Sequence, residues 1–388
     1  MIVIKHGESD WSMPIQRYSR RLNVLEATRE RMVFIFDSFE QIIVSISGGK
    51  DSTCMAHLAL SEAQRRGRKI GLHFLDEEVV YESTVEQIEY LMGLFPENVA
   101  KIWLQIEFRL TNATSVEDGQ LICWEAGKHK LWMRPKKPYA IQHRMWSEES
   151  QTVRNKNKGF GFYDVIENFE RCYNGAAFLV GLRAAGESPN RWRAVVKNPV
   201  HIADRDVYWG TKKDKNYSLY PIYDWNFHDV WKYVYDEGLR YSKVYDWQFR
   251  KGYSINQMRV SSLIHERAFK SICDLPEFEP KTYNRLCKRI KGIALVQETG
   301  KSAKLFACRK LPKNYRSWIA FRDFLIQTHP DQERVHLFVE RYQRHLTNEY
   351  VARQQCRQLL LNDYENNLPI DNKPDPREAL IQYYDEVL

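Results

Sequence analysis

The chain is short of the features that mark several protein classes. No run of residues is apolar for long enough to span a bilayer as a helix, and the mean hydropathy of −0.57 agrees. The first eight residues, Met1 to Glu8, carry no long apolar core behind their charges, so no secretion signal is expected. Cysteine is scarce: the seven residues Cys54, Cys123, Cys172, Cys273, Cys287, Cys308 and Cys356 are an odd number, with no Cys-x-x-Cys among them. That argues against a disulfide framework, a zinc ribbon and a cysteine-ligated iron–sulfur cluster, and a reducing cytoplasm is the expected home. The eleven histidines are scattered, and His73, His129, His143 and His265 show no ligand spacing. There is no fixed-period repeat and no low-complexity tract. With 43% hydrophobic and 28% charged residues, wholesale disorder is excluded.

What the 388 residues do hold is a surplus of rings, 13% of the chain, on a mildly basic background of net charge +8. Residues 1–37 read as a basic, helical lead-in, with Leu22, Leu25, Met32 and Phe36 near helical spacing. The β-branched run over 41–47 predicts a buried strand, broken by Gly48-Gly49. Met55, Leu58, Ala59 and Ala63 then share one helical face, closing at Gly67, and 69–75 predicts a second strand. Strand, turn, helix and strand in this order make a βαβ unit and a parallel sheet. A further helix is expected near 83–94 and strands at 101–108 and 176–182. A stripe of Phe227, Val230, Trp231, Val234 and Tyr235 follows, with Asn226 as its N-cap and Gly238 as its stop. Helices are expected at 263–273, 281–290, 317–327, 334–345 and 349–361. The expected organisation is an α/β domain at 38–255 with helices on both faces of a parallel sheet, and a helical C-terminal region at 256–388. Within the domain, about 120–160 reads as an insertion dense in Trp, Lys, Arg and His, a candidate region for a second substrate.

The strongest local signal is Ser47-Gly48-Gly49-Lys50-Asp51-Ser52, between a buried strand and a helix. Glycines let backbone approach an anion closely, and the helix start supplies unpaired N–H groups and a positive dipole end. Ser47 and Ser52 add hydroxyl donors and Lys50 a charge, which together suit a phosphate or pyrophosphate. A Walker A loop needs Ser or Thr directly after the Lys, and Asp51 stands there instead.

This segment resembles the PP-loop of the N-type ATP pyrophosphatases. Gly181-Leu182-Arg183, with Glu187 and Arg191, resembles the G-[IL]-R element of the phosphoadenosine phosphosulfate (PAPS) reductase-like branch. Tyr220-Pro221-Ile222-Tyr223-Asp224-Trp225, followed by Asp229-Val230-Trp231, resembles that branch's P-[IL]-x-D-W stretch. The match runs over about 38–255. The aromatic insertion and long helical tail are similar to the immunoglobulin-binding regulator A-type subfamily. The resemblance implies an adenine nucleotide alpha hydrolase-like fold. It also implies that Ser47, Gly48, Gly49, Lys50, Asp51 and Ser52 hold the phosphates of ATP or PAPS, with Lys50, Asp51 and Arg183 catalytic. Asp76, at the end of the second strand, would lie in the ligand crevice, unless it is simply a strand-end turn residue. With Glu77 and Glu78 it would hold Mg²⁺, the other reading being a solvated acidic turn. Arg183 would bind phosphate or sulfate, or else form a structural ion pair.

One departure matters. The reductases' C-terminal Glu-Cys-Gly-Leu-His segment is absent, and 253–259 reads Tyr-Ser-Ile-Asn-Gln-Met-Arg where the family has its second cysteine element. Thiol-based PAPS reduction and an iron–sulfur cluster are therefore not expected. What is expected is adenine-nucleotide chemistry at the α-phosphate or on a sulfonucleotide. The alternative is a nucleotide-binding regulator acting with a ParB/sulfiredoxin-like partner, as the subfamily resemblance implies, or a nucleic-acid-modifying protein. Basic clusters at 65–69, 128–137 and 288–291, the second interleaved with Trp132, keep nucleic acid open as a partner.

Overall fold

The computed structural model describes residues 22–114, 119–154, 159–184, 199–255, 257–265, 268–293, 311–343 and 346–364, with 366 and 370. The expected positions Glu187, Arg191 and Cys308, most of the lead-in and the end of the tail lie outside these residues.

The first helix, α1 (Val24–Ser38), starts on a capping box in which Asn23 and Glu26 exchange side-chain bonds with each other's backbone N–H. The βαβ unit then runs β1 (Ile42–Ser45), α2 (Lys50–Arg65) and β2 (Ile70–Leu75), within a few residues of the sequence expectation. Next come α3 (Glu82–Gly93) and β3 (Val99–Leu104). A hairpin of β4 (Phe108–Thr111) and β5 (Gln120–Cys123) opens the aromatic insertion. The insertion leads to α4 (Phe162–Arg171) and β6 (Ala177–Val180). The hairpin of β7 (Val200–Ile202) and β8 (Arg205–Val207) precedes β9 (Gly210–Lys213) and β10 (Asn216–Leu219).

The main sheet has the order β3-β2-β1-β6-β10-β9. All neighbours are parallel except β10 and β9. Along β1 the residues alternate between faces. Ile42 and Val44 join one apolar cluster with side chains of α1, α2 and α3; Ile43 joins the other with Val165 and Phe169 of α4. Helices therefore cover both faces, as expected. The strand order reverses beside β1: β2 and β3 extend to one side, β6 and β10 to the other. In open α/β sheets such a switch point leaves a crevice at the carboxyl ends of the strands.

The expected stripe after Trp225 forms α5 (Phe227–Asp236), with Asn226 accepting from the N–H of His228 and Asp229. α6 (Val244–Arg250) follows, an element the sequence pattern did not reveal. Then come α7 (Phe269–Phe278), α8 (Pro280–Arg289), α9 (Trp318–Gln327), α10 (Val335–Tyr342) and α11 (Glu349–Leu360). Ile272 and Leu275 of α7 and Leu286 of α8 sit in the same apolar cluster as Ile43 and Phe178 of the sheet. These two helices thus pack as part of the α/β body, although they lie beyond residue 255. Phe338, Tyr342, Leu359 and Tyr364 form a separate small cluster among the last helices. No helix of the described residues is long and apolar enough to cross a membrane.

A buried ion pair ties α1 to the segment after β10. Arg31 meets both oxygens of Asp224, at 2.8 and 2.5 Å, and donates to the Pro221 carbonyl at 2.6 Å. The Trp225 indole N–H donates to Thr28 of α1 at 2.8 Å. The Asp224 carboxylate is almost fully buried, so it needs this partner. Arg31→Met is expected to cost about 3–5 kcal/mol in urea unfolding, by stranding a buried carboxylate. Arg31→Met with Asp224→Asn should recover a large part of that loss, and an equal loss in both variants would contradict this account.

Candidate functional site

The loop from Ser47 to Ser52 closes β1 onto α2 at the switch point. Gly48 has φ +72, and a Cβ there would meet Thr84 Cγ2 at 2.8 Å, so both conformation and space require glycine. The two serines close the turn: the Ser47 N–H donates to Ser52 Oγ at 3.1 Å, their hydroxyls lie 3.1 Å apart, and Ser52 Oγ donates to the Gly49 carbonyl at 3.0 Å. Gly49 is the N-cap of α2 and brings no side-chain cap to a helix of 16 residues. The Lys50 N–H donates to the hydroxyl of Tyr245, from α6, at 3.1 Å.

Three charged groups converge on this loop. Asp51 receives Lys50 Nζ on one oxygen at 3.0 Å and Arg183 Nε on the other at 2.5 Å. Arg183 comes from the turn after β6, on the far side of the switch point, and its side chain is only 6% exposed. Gly181 makes the approach possible, because a Cβ there would lie 3.0 Å from the backbone of Asp51 and Ser52. The structure thus brings Ser47, Gly48, Gly49, Lys50, Asp51, Ser52 and Arg183 together, as the two motifs imply.

The three acids after β2 separate. Asp76 does stand at the carboxyl end of β2, but it is fully buried. Its carboxylate accepts from Trp103 Nε1 at 2.8 Å, Gln105 Nε2 at 2.9 Å and the Glu78 N–H at 3.0 Å, and it pairs with Arg134 of the insertion. These bonds take up both oxygens, which corrects the expectation that Asp76 faces a nucleotide or a metal. Glu78, also fully buried and at φ +62, pairs with Arg289 of α8 at 2.6 Å and accepts from the Trp124 N–H at 2.7 Å. Glu77 alone is half-buried. Burial, opposed by a hydrogen bond from Ser262 and helped by the Asp76 charge, pushes its carboxyl up to about 7. Asp76 therefore does not fit the Mg²⁺ role expected of it. Among the described residues no three His, Cys, Asp or Glu side chains gather to hold a metal ion by themselves.

The indole nitrogens of the insertion are all held by the chain itself. The indole N–H of Trp124 donates to the Asp76 carbonyl at 2.7 Å, that of Trp132 to the Glu125 carbonyl at 3.0 Å, and that of Trp146 to Gln151 at 3.1 Å. Trp124 is fully buried against the carboxylates, Trp132 and Trp146 are half-buried, and Tyr139 is exposed. The basic clusters are partly spent too. Arg65 and Arg66 pair with Glu62, Arg66 also with Asp37, Lys128 with Glu125, and Lys137 with Glu89. Burial pushes the Cys54 and Cys123 thiols well up, which leaves both un-ionised near neutral pH. His73 stacks on Phe169 at 4.1 Å, and burial pushes it down to about 3, as suits a packed neutral ring.

What sequence reasoning missed is the wall of rings beside Lys50. Its ammonium lies 5.9 Å from the Phe227 ring centre and 5.6 Å from that of Tyr245. Phe227 and Trp231 read as a core stripe; the missed signal is their i, i+4 pairing followed by Tyr241 and Tyr245 in the next segment.

The model of the phosphoadenosine phosphosulfate reductase domain matches residues 41–276, more than half of the chain. A domain of unknown function, DUF3440, matches 252–355. The uncharacterized protein YbdN of Escherichia coli K12 is 26% identical over 333 residues, 84% of this chain and 80% of its own. Two solved structures share 13–14% of residues at low similarity. One is the PAPS reductase of Candida auris in complex with phosphate (TM-score 0.33; 57% of this chain, 84% of that one). The other is yeast FAD synthetase in complex with FAD (TM-score 0.31, 14% identity; 74% of this chain, 91% of that one). From its matched length, the chain belongs to the phosphoadenosine phosphosulfate reductase domain family.

Proposed function

We propose that the protein binds an adenine nucleotide, ATP or PAPS, with its phosphates on the loop at 47–52, and acts at the α-phosphate or the sulfonucleotide without a cysteine nucleophile. The observation that carries this reading is the convergence of Lys50 and Arg183 on Asp51 at the start of α2. Two largely buried cations share a single carboxylate there. A phosphate group competes with Asp51 for both, and charge-assisted bonds to phosphate are strong and directional. The glycine turn and the helix start add N–H groups toward the same place.

In the ATP version, a substrate oxygen attacks the α-phosphorus, the bond to the β-phosphate oxygen breaks, and pyrophosphate leaves on the loop. Lys50, Arg183 and the helix start neutralise the charge that develops on the leaving group. Asp51 takes back the two cations when pyrophosphate departs. A Mg²⁺ ion held by Asp76 and Glu77 has no part in this scheme, because the Asp76 oxygens are already bonded. Glu77 lies at the same strand ends as the loop: Ser262, its hydrogen-bond partner, is two residues from Val260, which lies against Gly49.

Calorimetry with ATP and with PAPS tests binding, and α-labelled ATP tests turnover through release of AMP, adenylate or pyrophosphate. Lys50→Ala and Arg183→Ala are each expected to weaken nucleotide affinity by about tenfold or more, the worth of a charge-assisted bond. Unchanged affinity in both variants would remove the loop from the nucleotide site. Glu77 is protonated below about pH 7 and negative above it. Its charge then opposes the phosphates, so affinity should fall by about twofold to fivefold as pH rises through 7. Glu77→Gln should flatten that dependence; a pH profile identical to the wild type would exclude Glu77 as its source.

A further inference from the structure

A cavity of about 670 Å³, in the range of small-molecule sites, opens between α5, α6 and the segment at 253–258. Its lining is mostly rings, among them Phe227, Trp231, Tyr241, Tyr245 and Phe249, and it holds a single charged group, the Asp246 carboxylate. Trp231 stands at right angles to two of its neighbours. Its ring centre lies 5.0 Å from that of Tyr241 at 89° and 5.4 Å from that of Tyr245 at 87°. The walls of the recess therefore meet as a corner. Asp246 and Phe249 are three residues apart on α6, which sets both on one side of that helix. Phe249 is 74% exposed and Asp246 is exposed as well, so the two form the rim.

Two observations fix the charge of the guest. The first is the carboxylate. One oxygen of Asp246 accepts from the Tyr241 hydroxyl at 2.8 Å, and among the described residues no cation pairs with it. A neutral, apolar guest filling the recess would strip water from that carboxylate and return nothing, and an anion would meet like charge. A cation offsets the loss. The second is the rings. An aromatic face carries the negative part of the ring quadrupole, and Trp attracts cations best. This cluster already does so for lysines of the chain: Lys270 Nζ lies 3.9 Å from the Tyr253 ring centre and Lys50 Nζ 5.6 Å from that of Tyr245. Neither lysine lines the cavity. Lys50 is held by Asp51, and Lys270 is exposed, where solvent and salt screen its charge. Among the described residues no Lys or Arg lies over Trp231, Tyr241 or Phe249, the rings nearest the carboxylate.

We propose that this cavity binds a small organic cation, an alkylated ammonium, packed into the corner of Trp231 and Tyr241 with Asp246 and Phe249 at its mouth. An alkylated ammonium suits the recess better than a metal ion or a bare ammonium. Its charge is spread over methyl groups that bury well against rings, and it needs no set of hydrogen-bond acceptors, which this apolar lining does not supply. The assignment does not rest on the loop as a nucleotide site. The two places touch through Tyr245, which lines the cavity and whose hydroxyl accepts the N–H of Lys50 at 3.1 Å.

The test uses the full chain without nucleotide and two probes of the same shape, (3-hydroxyphenyl)trimethylammonium and 3-tert-butylphenol, which differ only in a cationic nitrogen against a carbon. Each is titrated by calorimetry. The cation is expected to bind about tenfold tighter than the phenol, with its N-methyl proton resonances moved upfield by the surrounding rings. Asp246→Asn keeps an acceptor for Tyr241, and should weaken the cation by about threefold to tenfold while leaving the phenol unchanged. Phe249→Ala, also at an exposed position, should weaken the cation by about threefold or more. A peptide carrying trimethyllysine is expected to bind no tighter than the free cation. Equal or tighter binding of the phenol, no binding of the cation at millimolar concentration, or unchanged cation affinity in either variant would each overturn the proposal. A clear preference for the peptide would make the recess a protein-docking site and overturn the small-molecule assignment.

Discussion

Two carboxylates buried at the end of β2 organise much of this protein. Asp76 and Glu78 are both fully enclosed, and an enclosed carboxylate without a partner is too costly to keep charged. Arg134 answers the first and Arg289 the second. The insertion and α8, far apart in sequence, are thereby fixed to the same strand end. Trp124 completes the arrangement by bonding to the Asp76 carbonyl and to the Glu78 carboxylate. Replacing one partner alone would leave a bare charge, so these groups act as a unit.

That commitment shapes the site beside it. With its neighbours on either side enclosed, Glu77 is the acid of the three that keeps some exposure. Partial burial and the Asp76 charge raise its carboxyl into the neutral range. On the other side of β1, Asp51 holds two cations that a phosphate would want. In the proposed nucleotide site, Asp51 keeps Lys50 and Arg183 in place by internal pairing before a ligand arrives. Preorganisation of this kind lowers the cost of binding, because the long side chains are already fixed.

The likeness to the reductase domain runs over residues 41–276 and carries the scaffold. The fold places a loop, a helix start and Arg183 at the switch point. The cysteines among the described residues do not supply an activated thiol there: Cys54 lies on α2, but burial and the Asp51 charge push it up. A scaffold does not by itself fix a reaction, since function resides in side chains placed on a fold.

The sequence by itself determined the βαβ unit, the glycine turn between β1 and α2, the cap and stop of α5, and most of the tail helices. All of these are local signals: period-two and helical spacing, glycine breaks and capping residues within a few positions of one another. It also named Lys50, Asp51 and Arg183. Only the tertiary structure decided what Asp76, Glu77 and Glu78 each do, because three adjacent acids look alike until their partners at 103, 105, 134, 262 and 289 are known. The same holds for the aromatic surplus. Trp124 looks like part of a binding surface in sequence yet bonds inward, whereas Phe227 and Trp231 look like core yet line a cavity. Helical spacing reports which face is apolar; whether that face meets another element or an open space depends on what packs against it, and that is not a local property.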